Sequence, residues 1–357
     1  MFKMSYSTLS IIFTVLRCII TLFQYLCTCR TKQFSKMTKA KQNESPEWKE
    51  LWTATENDDF SAVKQIVSGL SQTQIPKLLT RKNSYDDTLL HLSACAGRKE
   101  ITQFYLEQLD LDDRLSVLNI ECSCGSTPLQ RAANNGHTEL VRYILSFLTP
   151  EQTWEHLTAQ NSQKDSALHR AAWNGHLETV SYILDSVAPQ QKVQLLGIQN
   201  NEGDTPLHDL ASNNHVHCMQ HALNCLDFPS QMSLLNKRNC EGMSPFHLTI
   251  QRCSIDTLKV IIQSFQLSGL LLTFLILQKL PKESQTINDN IRECLPIIFP
   301  NDPRLTRCLD RYFQKDLPVA LKSVMDELVT LLGQSGKRLL AYSIFTLRQC
   351  MLLASYI

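Results

Sequence analysis

Four histidines, His91, His169, His208 and His247, stand at one place in a recurring tetrapeptide: Thr88–His91, Ser166–His169, Thr205–His208 and Ser244–His247. Imidazole is the commonest protein ligand for transition metals, so a repeated histidine invites a metal reading. A metal needs its ligands to converge at about 2 Å, which one histidine per repeating unit does not do. The fixed place behind a threonine or serine implies a repeated structural hydrogen bond instead. Cysteine is the next candidate. The chain has 13, with Cys27/Cys29 and Cys122/Cys124 as C-x-C pairs. Neither pair has the further nearby ligands of a zinc site. Scattered cysteines in a chain this long read as free thiols in a reducing compartment. The run Gly333–Lys337 (GQSGK) has the residues of a phosphate loop, but without the four-residue gap, the following Ser/Thr or a preceding strand. A helix stop followed by a basic helix start is expected there. No H-E-x-x-H, G-x-S-x-G, G-x-G-x-x-G, kinase or Cys–His nucleophile pattern is present. The expectation is therefore a protein that is not an enzyme and holds no metal or cofactor. Its formal net charge of +1 argues against nucleic acid as the partner.

The tetrapeptides belong to a longer unit. Positions 88, 127, 166, 205 and 244 open the blocks TLLH, TPLQ, SALH, TPLH and SPFH, a constant period of 39 residues. Ala94, Ala133, Ala172 and Ala211 keep that period, as do Gly97, Gly136 and Gly175, and Leu79, Leu118, Leu157, Leu196 and Leu235. Each block reads as a helix opened by a Thr/Ser cap, with proline at the first helical position in three of the five. The small alanine admits a second helix, and the glycine ends the first helix in a left-handed conformation. A second helix follows, with apolar residues at helical spacing such as Leu140, Val141, Ile144 and Leu145. A short third segment of one or two helical turns carries the periodic leucines inward. Polar Asn/Gly turns then lead back to the next block.

This pattern resembles the ankyrin repeat, on the residues Thr127–His137 (TPLQRAANNGH), Ser166–His176 (SALHRAAWNGH) and Thr205–His208 (TPLH). The usual ankyrin unit is about 33 residues. The roughly six extra residues fall in the third segment, outside the stacking core. The resemblance covers residues 46–266. A degenerate first repeat is expected from Leu51 to Val67, with Lys49-Glu50 where Thr-Pro stands elsewhere. The last block departs from the pattern at Ile250 and Cys253, and the period ends after Ile262.

The ends differ in character. Residues 9–26 form an apolar run interrupted by Arg17, with Lys3 before it and Arg30, Lys32, Lys36, Lys39 and Lys41 after it. Two readings stand. The run is a membrane anchor with the rest of the chain in the cytoplasm, or Met37 is an ordinary cytosolic start. Leu267–Leu280 reads as a buried helix closing the repeats, and residues 281–357 as a helical region outside any family pattern.

The expected architecture is all-α: an ankyrin-repeat solenoid of stacked helix pairs with an extra short helix per repeat, plus a C-terminal helical tail. The expected division is an N-terminal segment 1–45, an ankyrin-repeat domain of about six repeats at 46–280, and the region 281–357. The repeats imply an adaptor or scaffold that binds a protein partner on a concave face of first helices and turn tips. The alternative is a targeting or regulatory subunit whose C-terminal helices recruit an enzyme complex such as ubiquitination machinery. Recognition should fall on positions that vary while the scaffold repeats. Those are the turn tips Tyr85, Gln163 and Glu202, the residues after the tetrapeptide Arg131, Arg170 and Asp209, and the pre-glycine positions Asn134, Asn135, Trp173, Asn174 and Asn213. Trp173 with Arg131 and Arg170 is the expected hot spot, because Trp and Arg dominate interface energetics.

Overall fold

A computed structural model of the chain describes residues 45–252 and 254–264. The candidate anchor at 9–26, the run Leu267–Leu280, the region 281–357 and Cys253 lie outside the described residues. The described residues form 17 α-helices and no strand. They divide into two compact units, one ending at Arg131 and the other beginning at Ala132.

The first unit holds α1 (Pro46–Glu56), α2 (Phe60–Ser68), α3 (Ile75–Leu79), α4 (Leu89–Ala96), α5 (Lys99–Glu107) and α6 (Leu111–Leu118). Helix α7 (Pro128–Asn134) contains the division. The second unit continues with α8 (Thr138–Ser146), α9 (Pro150–Thr158), α10 (Ala167–Trp173), α11 (Leu177–Asp185), α12 (Pro189–Leu196), α13 (Pro206–Ser212), α14 (Val216–Asn224), α15 (Phe228–Leu235), α16 (Pro245–Gln251) and α17 (Ile255–Ser264). Within each unit like packs on like. In the first, α1 meets α4, α2 meets α5 and α3 meets α6. In the second, first helices pack in the series α10, α13, α16, second helices in the series α8, α11, α14, α17, and the third helix α12 meets α15.

Local sequence explains these elements. Thr88, Ser166 and Ser244 cap α4, α10 and α16, each accepting the backbone N–H three residues on. The first repeat corrects one expectation. The period places its cap at position 49, but α1 begins at Pro46, and Ser45 accepts the Trp48 N–H at 3.4 Å. A Ser-Pro start is thus present, about one helical turn early. The first helices of the first five repeats end in a left-handed residue, with φ of 59° at Asp58, 68° at Gly97, 73° at Gly136, 70° at Gly175 and 55° at Asn214. At Gly136 and Gly175 glycine is required twice over. A Cβ on Gly136 would lie 2.5 Å from His176 Nδ1, and one on Gly175 would lie 2.3 Å from His215 Nδ1.

The core follows the period. Ala94, Ala133, Ala172 and Ala211 are fully buried, and Leu79, Leu118, Leu157, Leu196 and Leu235 are at most 2% exposed. The third segments are therefore true helices that carry core leucines. Among the described residues no helix is long and apolar enough to cross a membrane.

Candidate partner-binding surface

The repeated histidines are scaffold. His91 Nδ1 accepts the Thr88 backbone N–H at 3.2 Å, so Nε2 carries the proton and donates to the Ser126 carbonyl at 2.9 Å. His169 repeats this between Ser166 N–H (3.2 Å) and the Asp204 carbonyl (3.1 Å). His208 does so between Thr205 N–H (3.0 Å) and the Met243 carbonyl (3.1 Å). Each ring ties a helix start to the turn of the next repeat, which is the expected structural hydrogen bond. Burial lowers the pKa of His91, His169 and His208 to about 4, so the rings are neutral at physiological pH. The third repeat uses Gln130, whose Oε1 accepts the Thr127 N–H at 3.0 Å.

The turns are held by asparagine. Oδ1 of Asn83, Asn161, Asn200 and Asn239 accepts the backbone N–H groups two and four residues on, at 2.8–3.0 Å. In the second unit the amide nitrogens reach the preceding turn, Asn200 Nδ2 to Asp165 Oδ1 at 3.0 Å and Asn239 Nδ2 to Asp204 Oδ1 at 2.8 Å. Tips are also stitched by backbone, Asn201 N–H to the Gln163 carbonyl and Cys240 N–H to the Glu202 carbonyl, both at 2.9 Å. In the first unit Ser123 N–H donates to the Tyr85 carbonyl at 2.9 Å. A shallow cleft of about 450 Å³ lies among these tips, lined by Lys164, Gln199, Asn200, Arg238 and Asn239 among others.

Residues after the tetrapeptide turn toward these turns. Arg131 NH2 lies 3.4 Å from Asp87 Oδ1 and Arg170 NH1 3.3 Å from Asp165 Oδ2. Both arginines are half-buried, and burial lowers Arg170 to about 10. They act first as internal counter-ions. Asp209 is a correction: expected on the recognition surface, it is 3% exposed. An acid at the position that holds arginine in the two preceding repeats is brought in among Asp165 and Asp204. Burial, then these two carboxylates, raises its pKa well above the usual carboxylate range, with Arg170 opposing. Burial likewise raises Asp204 to about 6.

The other expected residues divide by exposure. Gln163, Glu202, Trp173 and Asn174 are exposed, whereas Tyr85, Asn134, Asn135 and Asn213 are half-buried. Asn213 Nδ2 donates to the Asp209 carbonyl at 3.1 Å, and Asn134 Nδ2 to Asn135 Oδ1 at 3.1 Å. The backbone beneath Trp173 is locked. Its carbonyl accepts His215 Nε2–H at 3.0 Å, and Asn174 Nδ2 donates to the Asn134 carbonyl at 3.0 Å. Trp173 as a whole is 40% exposed. Leu177 at 41% and Phe228 at 48% are the other exposed large apolar side chains described in this unit.

Two thiol constellations were not legible as sites from spacing alone. Cys225 Sγ lies 3.6 Å from His221 Nε2, which lies 4.0 Å from Asp185 Oδ2. These three could offer ligands to one cation, but Lys192 Nζ already neutralises Asp185 at 3.1 Å. The aspartate lies a whole repeat upstream, so no short motif joins it to the others. The second constellation is Cys122 with Cys124, whose sulfurs are 3.1 Å apart. The signal for it was present: Cys122 occupies the turn register of Asn83, Asn161, Asn200 and Asn239.

Helix pairs repeated in register, capped turns stacked on one another and core leucines at a constant interval define a stacked-repeat protein. The family model "Ankyrin repeats (3 copies)" matches two overlapping stretches, residues 51–145 and 90–194. Residues 51–194 of the chain are ankyrin repeats. No curated protein matches it.

Proposed function

We propose that the chain is a non-catalytic adaptor that binds a protein partner through the surface of α10 and the adjoining turn tips, in the cytoplasm. Trp173 is the observation that carries this. Its backbone is fixed from both sides by His215 and Asn174, while 40% of the residue faces solvent. A large aromatic residue presented on a fixed backbone leaves less to order on binding, which is the character of an interface anchor. Exposed Asn174, Gln163 and Glu202 lie in the same unit and supply polar groups for a rim. The inward pairing of Arg170 with Asp165 leaves the tryptophan as the main anchor.

The test compares proteins captured by the full chain with those captured by Trp173→Ala and by Leu111→Ala, a control at another exposed apolar side chain (52%). The expected outcome is a partner set lost only with Trp173→Ala, with a melting temperature within about 2 °C of the unsubstituted chain. Retention of every partner, or an equal loss of binding and folding, sinks the proposal.

A further inference from the structure

We propose that Cys122 and Cys124 form a thiol–disulfide exchange site, which takes a low-molecular-weight disulfide as substrate and becomes an intramolecular disulfide at the turn tip.

The turn itself brings the sulfurs together. In its backbone, Cys122 N–H donates to the Ser126 carbonyl at 3.0 Å and Gly125 N–H to the Cys122 carbonyl at 2.8 Å. The asparagine turns keep these same two bonds, as with Asn161 N–H to Asp165 O at 3.0 Å and Lys164 N–H to Asn161 O at 2.8 Å. In those turns the side chain at the first position curls over the residue two places on. Gly125, at φ 71°, permits the same curl here. With cysteine at both places, the curl sets Sγ against Sγ at 3.1 Å. A disulfide is about 2.05 Å long, so closure needs a movement of about 1 Å.

The two thiols are unequal in the way exchange requires. Cys124 is exposed and open to a small disulfide, whereas Cys122 is buried beneath it. Arg131 NH2 lies 3.3 Å from Cys122 Sγ, and Ser126 Oγ lies 3.2 Å from Cys124 Sγ. A cation and a hydroxyl at these distances favour thiolate at the pair. The hydrogen bond from Cys122 and the charge of Arg131 lower Cys124 to about 5 against the effect of burial, and the Cys122 thiol is raised. No asparagine clamp has to break for the reaction to proceed, because this turn has none.

The steps balance. The Cys124 thiolate attacks one sulfur of RS–SR, the S–S bond breaks, and RS⁻ leaves and takes a proton. Cys122 then loses its proton and attacks Cys124 Sγ in the mixed disulfide, expelling the second RS⁻. The protein dithiol is oxidised by two electrons, and the small disulfide is reduced to two thiols.

Trypsin isolates the site. Cleavage after Arg114 and Arg131 yields a peptide whose only cysteines are Cys122 and Cys124, and cleavage after Lys82 and Arg98 yields one with Cys95 alone. The full chain is treated with oxidised glutathione, quenched in acid, alkylated and digested. The expected result is an unalkylated form of the peptide 115–131, about 2 Da lighter than the dithiol, appearing about tenfold faster than any modification of the exposed Cys95. In Cys122→Ser a glutathione adduct should accumulate on Cys124; in Cys124→Ser the peptide should stay alkylated at Cys122. Two alkyl groups on the unsubstituted peptide, or a lasting glutathione adduct in place of the internal bond, overturns the proposal. The unsubstituted chain decides the question even if a variant fails to fold.

Discussion

At the scale of single residues, the same side chain fixes the fold and sets its response to acid. The His169 pKa is lowered from 6.5 to about 4 by burial. Its folded value lies below its unfolded one, so its contribution is complete above about pH 6.5 and is lost as pH falls through 4. The third repeat shows that glutamine can fill this place, since Gln130 takes the Thr127 N–H at 3.0 Å. His169→Gln loses the bond to the Asp204 carbonyl and should cost about 1 kcal/mol at pH 7. At pH 4.5 it escapes a protonation cost of about 2 kcal/mol, so the variant should become the more stable protein. Chemical denaturation at the two pH values checks this, and an order that does not reverse refutes it. Asp204 and Asp209 act with the opposite sign, because their raised values favour the fold as pH falls. The comparison is therefore made between variants at each pH. Glycine gives a second residue-scale prediction. Gly175 and Gly242 share a left-handed backbone, at φ 70° and 75°, but only at Gly175 would a Cβ strike a neighbour. Gly242→Ala should cost about 1 kcal/mol, the conformational penalty alone. Gly175→Ala should cost about 3 kcal/mol or more, because His215 must leave its bond to the Trp173 carbonyl. Equal melting temperatures for the two variants would remove the contact from the account.

At the scale of elements, the third helices set this repeat apart from one of about 33 residues. They are short, at 5 residues for α3, 8 for α6, α12 and α15 and 9 for α9, yet each carries a buried leucine at its last or next-to-last position. Such a helix has too few internal bonds to stand alone, so the leucine holds it. Leu196→Ala should cost about 2–5 kcal/mol. Leu177→Ala, at a leucine that is 41% exposed, should change stability by less than about 0.5 kcal/mol. Thermal melts of the two variants would separate them, and similar losses would mean that the leucine is not what anchors α12. These elements were legible in the sequence because caps, alanines and leucines repeat in one register, and a single period reports them all. The start of α1 was misplaced because a cap is a local bond that can move by one turn without breaking the register of Leu51 and Val63, both buried. Asp209 was misread for a different reason. Variation along the repeat marks positions free of the scaffold's own demands, but here it also marks a position where Arg131, Arg170 and Asp209 turn their charges inward. The gathering of Asp185, His221 and Cys225 was hidden because it depends on which helix faces abut, which spacing along one chain does not report.

At the scale of the whole molecule, stability should be a sum of local terms. Within each unit the helices meet partners in their own and the adjoining repeat, and the long hydrogen bonds from His91, His169, His208, Asn200 and Asn239 each span 35 residues, about one repeat. A chain joined by nearest-neighbour interfaces opens in pieces, with each piece answering to the interfaces beside it. Leu196→Ala supplies the test, because it weakens the core of α12, the third helix that packs on α15. Amide hydrogen exchange of the full chain should then rise about tenfold or more in α10 to α15, in proportion to the stability lost locally. Exchange in α1 to α5 should stay within about twofold of the unsubstituted protein, since none of their interfaces changes. A single cooperative domain would behave differently, because its slowest amides exchange only through global unfolding, so all of them would accelerate by one common factor. Uniform acceleration from α1 to α17 would therefore reject the additive picture, and a response confined to the neighbours of α12 would establish it. The outcome also bears on recognition. If the repeats open locally, α10 and Trp173 depend on the interfaces of the second unit alone, and Leu196→Ala should weaken partner binding while a comparable core substitution at Leu79 leaves it unchanged.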